Sequence, residues 1–213
     1  MARKSAKARR EELAASDPVM ADLIERIGPL DLARRLRRRK EERPADAFGA
    51  LLRSIVGQQL STKAARAIYL RMLELFDGPP TPEAVLELSE EDLRGVGFSG
   101  RKVEYVHDLA ARVLDGELEL DRIEALGDEE AIEEISAVRG LGRWTAEMFL
   151  LFHLGRPDVI SDGDLGIRKA VMIEYELAEM PTPRQVEERA EGWRPERSLA
   201  SLYLWESLHN VPN

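Results

Sequence analysis

Cysteine is absent from this 213-residue chain, and histidine occurs only at His107, His153 and His209. The first absence excludes disulfides, thiolate nucleophiles, iron–sulfur clusters and cysteine-built zinc sites. The histidines lie far apart and in no His-Glu-x-x-His spacing, which argues against a histidine-built zinc site. No apolar run approaches the roughly 18 residues that a membrane span needs. The N-terminal MARKSAKARREE is basic but has no apolar stretch, unlike a secretory signal. Strand alternation is missing too, the nearest approach being the short run 158–161. The expectation is a soluble, cytoplasmic, all-α protein that needs no membrane partner.

At 44% apolar and 33% charged residues the composition is globular, and the length suits one compact domain or two intimate lobes. Forty acids against 31 bases give a formal charge of −9, which at face value argues against a partner as acidic as DNA. The charge is uneven, however. Residues 1–43 carry 13 Lys/Arg and 8 Asp/Glu, whereas 82–135 carry 17 acids and 5 bases. A basic face set against a solvated acidic back is one reading; a run such as 34–40 (RRLRRRK) that merely solvates a helix is the other.

Periodicity is helical almost throughout. Phe48, Leu51, Leu52, Ile55 and Val56 share one face, as do Ala65, Ile68, Tyr69, Met72 and Phe76, with Ser61 or Thr62 as the cap between them. A third run, Val103, Val106, Leu109, Ala110 and Val113, follows the turn-like GFSG at 97–100. Thr182-Pro183 opens a later helix, and Leu199, Leu202, Trp205 and Leu208 line the last.

Two segments carry candidate chemistry. In 138–146 a helix runs into Gly140-Leu141-Gly142 and another helix starts at once. Glycines permit close backbone approach, and amides at a helix start suit an anion, so Gly140, Gly142, Arg143 and Thr145 form a candidate phosphate site, with Arg139 alongside. The plain alternative is a tight connection that needs glycine for steric reasons. Further on, 158–168 places Asp164 at a helix start, where an N-cap and a functional carboxylate are compatible readings. Asp162, two residues earlier, is the weaker candidate.

With these segments, the chain resembles the helix-hairpin-helix DNA glycosylases that carry a Gly-Pro-Asp-type segment (HhH-GPD), and within them the bacterial 3-methyladenine DNA glycosylase II (AlkA-type) branch. The resemblance runs from about 46 to 209 through Ile55–Ser61, Leu93–Ser99, the hairpin with Arg143–Ala146, the Asp164 segment, and Gly192–Ser198 through Trp205. It implies a two-lobed helical fold without the extra α/β N-terminal domain of longer members. Residues 1–15 would be a flexible basic tail, 16–46 plus 158–213 one lobe, and 47–157 the other, with the hairpin at about 130–153.

The resemblance further implies excision of alkylated bases such as N3-methyladenine and N7-methylguanine from double-stranded DNA, by a monomer, with Asp164 as the catalytic carboxylate. Members that also nick the strand carry lysine where this chain has Trp144, so no lyase activity is implied. Trp144 and Trp205 take base-pocket positions, joined by Met148 and Leu165 where other members have aromatics. The residue that fills the emptied stack aligns with Gln59, flanked by Gln58 and Leu60; Leu60 is alternatively core. No cofactor is required, but a monovalent cation bound by the carbonyls of Ser136, Val138 and Leu141 is implied at the hairpin. Two other readings stay open: the same fold acting on uracil, hypoxanthine or mismatched bases, and a non-catalytic DNA-binding module. Because backbone amides would hold phosphates without adding formal charge, the global acidity narrows how DNA is held rather than excluding it.

Overall fold

The computed structural model describes residues 4–31 and 46–209. Among them no strand occurs, and the helices are, in order, α1 (Ala6–Ser16), α2 (Pro18–Ile27), α3 (Ala47–Gly57), α4 (Thr62–Leu73), α5 (Pro82–Glu87), α6 (Glu90–Gly95) and α7 (Gly100–Leu114). There follow α8 (Leu120–Ile123), α9 (Asp128–Ser136), α10 (Arg143–Phe149) with a π-helical turn (Leu150–Leu154), α11 (Leu165–Glu174), α12 (Pro183–Ala190) with a 3₁₀ turn (Glu191–Trp193), and α13 (Arg197–Ser207). The starts follow from side-chain capping, in which an oxygen accepts an otherwise orphaned backbone N–H. Ser5, Asp17, Asp46, Ser61, Thr81, Ser89, Ser99 and Thr182 each do this. Ser61 is thus the cap of α4, and Thr62 is its first helical residue. The basic run 34–40 lies outside the described residues.

The described residues form two compact units, one from the chain ends (4–31 and 150–209) and one from 46–149. In the chain-end unit, Leu13, Met20 and Leu23 are buried with Ile167, Val171, Trp193, Tyr203 and Leu204. Asp17 ties this core together. Its Oδ1 caps α2, and its Oδ2 accepts from Tyr175 Oη (2.6 Å) and Trp193 Nε1 (3.0 Å). Burial alone would raise the Asp17 pKa, but these bonds and the Val19 and Met20 amides more than offset it and hold the carboxyl below the usual aspartate range. In the other unit, Phe48, Leu51, Leu52, Ile55 and Val56 of α3, Val103, Val106, Leu109 and Ala110 of α7, and Ile132 and Ile135 of α9 are all buried, as their periodicity predicts. None of the acids in 82–135 is buried.

Two expectations about organisation are corrected. Residues 6–16 are not a loose tail: they form α1, whose Leu13 is buried in the chain-end core and whose Arg9 pairs with the largely buried Glu196 at 2.5 Å. The division near 157 falls instead between 149 and 150. The reason is that 150–159 is bound to α13. Phe152 stacks on Trp205 (centroids 5.9 Å apart), Ser198 Oγ donates to Arg156 O (2.7 Å), and Val159 N–H donates to Ser198 Oγ (3.0 Å).

Candidate functional site

Asp164 sits where the extended 158–161 segment turns into α11. Its backbone closes the turn, Asp164 N–H donating to Ser161 O at 3.1 Å and Arg168 N–H to Asp164 O at 2.9 Å. Its Oδ1 accepts the Ile167 N–H (2.9 Å) and the Trp205 indole N–H (3.0 Å). Two donors on one oxygen fix the carboxylate in position without burying it, since Asp164 is half-buried. Gly166 makes this approach possible. A Cβ there would lie 3.0 Å from Asp164 Oδ1 and 3.1 Å from Trp205 Cδ1. The indole itself stacks on Phe152, which the π-helical turn presents. Leu165, the next residue, is 69% exposed.

The hairpin joins α9 to α10. Gly140 has φ +83°, and a Cβ on it would fall 2.2 Å from the Tyr105 ring, so glycine is demanded there both by conformation and by space. Gly142 differs: nothing lies within 4 Å of a Cβ placed on it, and it is exposed. The turn is held from α7, where Asp108 Oδ2 accepts the Arg139 N–H (2.9 Å), and internally by Leu141 N–H donating to Val138 O (3.0 Å). At the end of α3, Gln58 Nε2 donates to Gly140 O (2.6 Å). The next residue, Gln59, is exposed and adopts φ +56°, a backbone conformation that side-chain-bearing residues take at a cost.

Residues 52–195 match the model of the HhH-GPD superfamily of base excision DNA repair proteins. The chain belongs to that superfamily. Over 165 residues it is 35% identical to DNA-3-methyladenine glycosylase 1 of Schizosaccharomyces pombe, covering 76% of this chain and 72% of that one. A crystal structure of DNA-3-methyladenine glycosidase from Bacillus halodurans superimposes with a TM-score of 0.82 at 34% identity, over 95% of this chain and 89% of the other. The S. pombe 3-methyladenine DNA glycosylase in complex with abasic DNA gives a TM-score of 0.78 at 30% identity, over 96% and 98%.

Within the HhH-GPD chain the sequence-derived candidates divide between the units. Asp162, Asp164, Leu165 and Trp205 belong to the chain-end unit. Gln58, Gln59, Leu60, Ser136, Val138, Gly140, Leu141, Gly142, Arg143, Trp144, Thr145 and Met148 belong to the other. Trp144 is 53% exposed and Met148 half-buried, while the Thr145 side chain is buried. Three observations bear on these candidates. The Arg143 side chain, 54% exposed, makes a bidentate surface pair with Glu129 (2.8 Å twice) and an i,i+4 pair with the buried Glu147 (2.9 Å), which ties α9 to α10. Gln58 bridges to the Gly140 carbonyl through its side-chain amide. Leu60 is 39% exposed and so is not core.

Three residues that position the site escaped the sequence reading. Tyr105 and Asp108 lie on a helix some thirty residues before the hairpin they support, and only a covariation signal would connect them. Gly166 lies within the Asp164 segment, where a glycine in the first turn of a helix is itself a hint of close approach.

Proposed function

We propose that this HhH-GPD protein is a monofunctional DNA glycosylase that removes alkylated bases from duplex DNA and leaves an abasic site. The observation that carries the reading is Asp164, a carboxylate anchored by one backbone amide and one indole at the motif position of the superfamily's acid. As the C1′–N bond breaks, positive charge develops on the sugar, and a preoriented carboxylate stabilises it. Water then forms the new bond to C1′ and passes a proton to Asp164 or to solvent. An N3- or N7-alkylated purine already carries a positive charge and leaves as a neutral base, so it needs no general acid. An uncharged uracil or hypoxanthine would need a proton donor on its leaving nitrogen. The charge on the base favours alkylated purines over those substrates, and the names of the relatives agree.

The exposed Trp144 ring offers an electron-rich face for a cationic purine, an interaction of about 0.5–2 kcal/mol. As an indole it cannot form the Schiff base that strand nicking requires. Gly142 supports the phosphate role, because no internal contact explains a glycine there, whereas Gly140 is fully explained by Tyr105. Phosphate would then be met by backbone amides near 142–145 rather than by the engaged Arg143 guanidinium. The residues also fit a monovalent cation. Among the described residues the Ser136 and Leu141 carbonyls accept no backbone hydrogen bond, and Val138 O keeps a lone pair beside its bond to Leu141. Such a cation would offset phosphate charge. The protein would act as a monomer.

The test is the wild-type protein against a panel of lesion-bearing duplexes, with free bases quantified by chromatography. Release of N3-methyladenine and N7-methylguanine is expected, with strand breaks appearing only after alkali. Release of no base at all would leave a DNA-binding module as the reading.

A further inference from the structure

Lys102 lies in the first turn of α7, just after the Ser99 cap, where a positive charge opposes the dipole of its own helix. Its ammonium serves a different helix end. Nζ donates to Val56 O (2.6 Å) and Gln58 O (2.9 Å), carbonyls at the C-terminus of α3 that have no helical partner. Burial holds the Lys102 pKa below the usual lysine value, so the group has given up solvent to make these contacts. Between and beyond them the chain turns sharply. Gln58 N–H bonds only back to Ile55 O (3.3 Å), its side chain reaches Gly140 O, and Gln59 enters the left-handed region at φ +56° while exposed.

One helix therefore fixes two loops. Through Lys102, α7 sets the 57–60 turn; through Tyr105 and Asp108, it sets the hairpin at 139–140; and Gln58 links the two. We infer that Lys102 is a positioning residue for base extrusion, holding the strained turn that presents Gln59 to the gap a flipped base leaves. This rests on the glycosylase reading above. Lys102 touches neither substrate nor reacting atoms. Its ammonium offsets the cost of a left-handed glutamine, so that Gln59 is poised before DNA arrives.

Extrusion costs a few kcal/mol from a paired stack and least for a base that is already unpaired. The readout is accordingly a ratio: single-turnover release of N3-methyladenine from a duplex against release from a bulged, unpaired N3-methyladenine, with DNA saturating. For Lys102→Met the duplex rate should fall about tenfold while the bulge rate holds within about twofold. Lys102→Arg should restore most of the duplex rate. Gln59→Ala should show the same selective loss, and Lys102→Met added to it should cost little more, since both act through one side chain. Should Lys102→Met not fold, Lys102→Gln is read in the same way.

Equal losses on both substrates would make Lys102 merely structural and overturn the inference, as would no loss, or losses that multiply in the double variant. A wild type that releases base from neither substrate would overturn the glycosylase reading and this inference with it. An active wild type with any of the former results overturns the inference alone.

Discussion

The turn at 137–142 and the turn at 161–164 are built on different plans. The hairpin borrows its geometry: Tyr105 fills the space a side chain on Gly140 would need, Asp108 takes the Arg139 amide, and Gln58 takes the Gly140 carbonyl. The Asp164 turn is closed by its own backbone, and one indole from α13 orients the carboxylate. Side chains borrowed from α3 and α7 therefore govern the first, and the turn's own backbone with one indole governs the second. Substitutions at the hairpin should act mainly on stability, and those around Asp164 mainly on chemistry.

The largest stability effect should come from Gly140→Ala. A methyl group 2.2 Å from an aromatic carbon, at φ +83°, forces the turn and Tyr105 apart. A loss of at least about 3 kcal/mol is expected, lowering the melting temperature by roughly 6–12 °C in a domain of this size. A shift under about 2 °C would show that the turn does not rest on Tyr105.

Trp205→Phe comes next and should reverse the pattern. It keeps a ring to stack on Phe152 but removes the donor to Asp164 Oδ1. Single-turnover base release should fall about tenfold while stability changes by roughly 1–2 kcal/mol. Unchanged release would mean that the indole is only packing. Gly166→Ala tests the same contact more gently. Its Cβ at 3.0–3.2 Å would push Asp164 and Trp205 apart by a few tenths of an ångström, and a loss of about threefold in release with little change in melting is the expected result.

Another effect sits away from both turns. Asp17 has its pKa depressed in the folded state, so its contribution to stability is present above the unfolded aspartate value of about 3.9 and is lost as pH falls through the lower folded value. Asp17→Asn should cost about 1–2 kcal/mol at neutral pH and flatten the acid limb of a stability–pH curve measured by urea titration. An identical acid limb in wild type and variant would contradict the network with Tyr175 and Trp193.

This division also explains what the sequence could disclose. Helix starts and core faces were legible because each depends on local residues. Ser61 before α4, Thr182-Pro183 before α12 and the apolar stripe of α3 all speak through near neighbours. Asp164 as a cap was legible for the same reason. What stayed hidden was long-range: that Arg143 pairs with Glu129 on α9, that α1 packs its Leu13 into the chain-end core, and that Lys102 answers to α3.

The central claim, that the anchored Asp164 carboxylate performs the chemistry, is tested most directly by Asp164→Asn. Asparagine keeps an oxygen for the Ile167 amide and the Trp205 indole, so only the charge is removed. Single-turnover release of N3-methyladenine from alkylated duplex DNA should fall by about 100-fold or more, while binding to the same duplex is retained. Release at the wild-type rate would contradict the account.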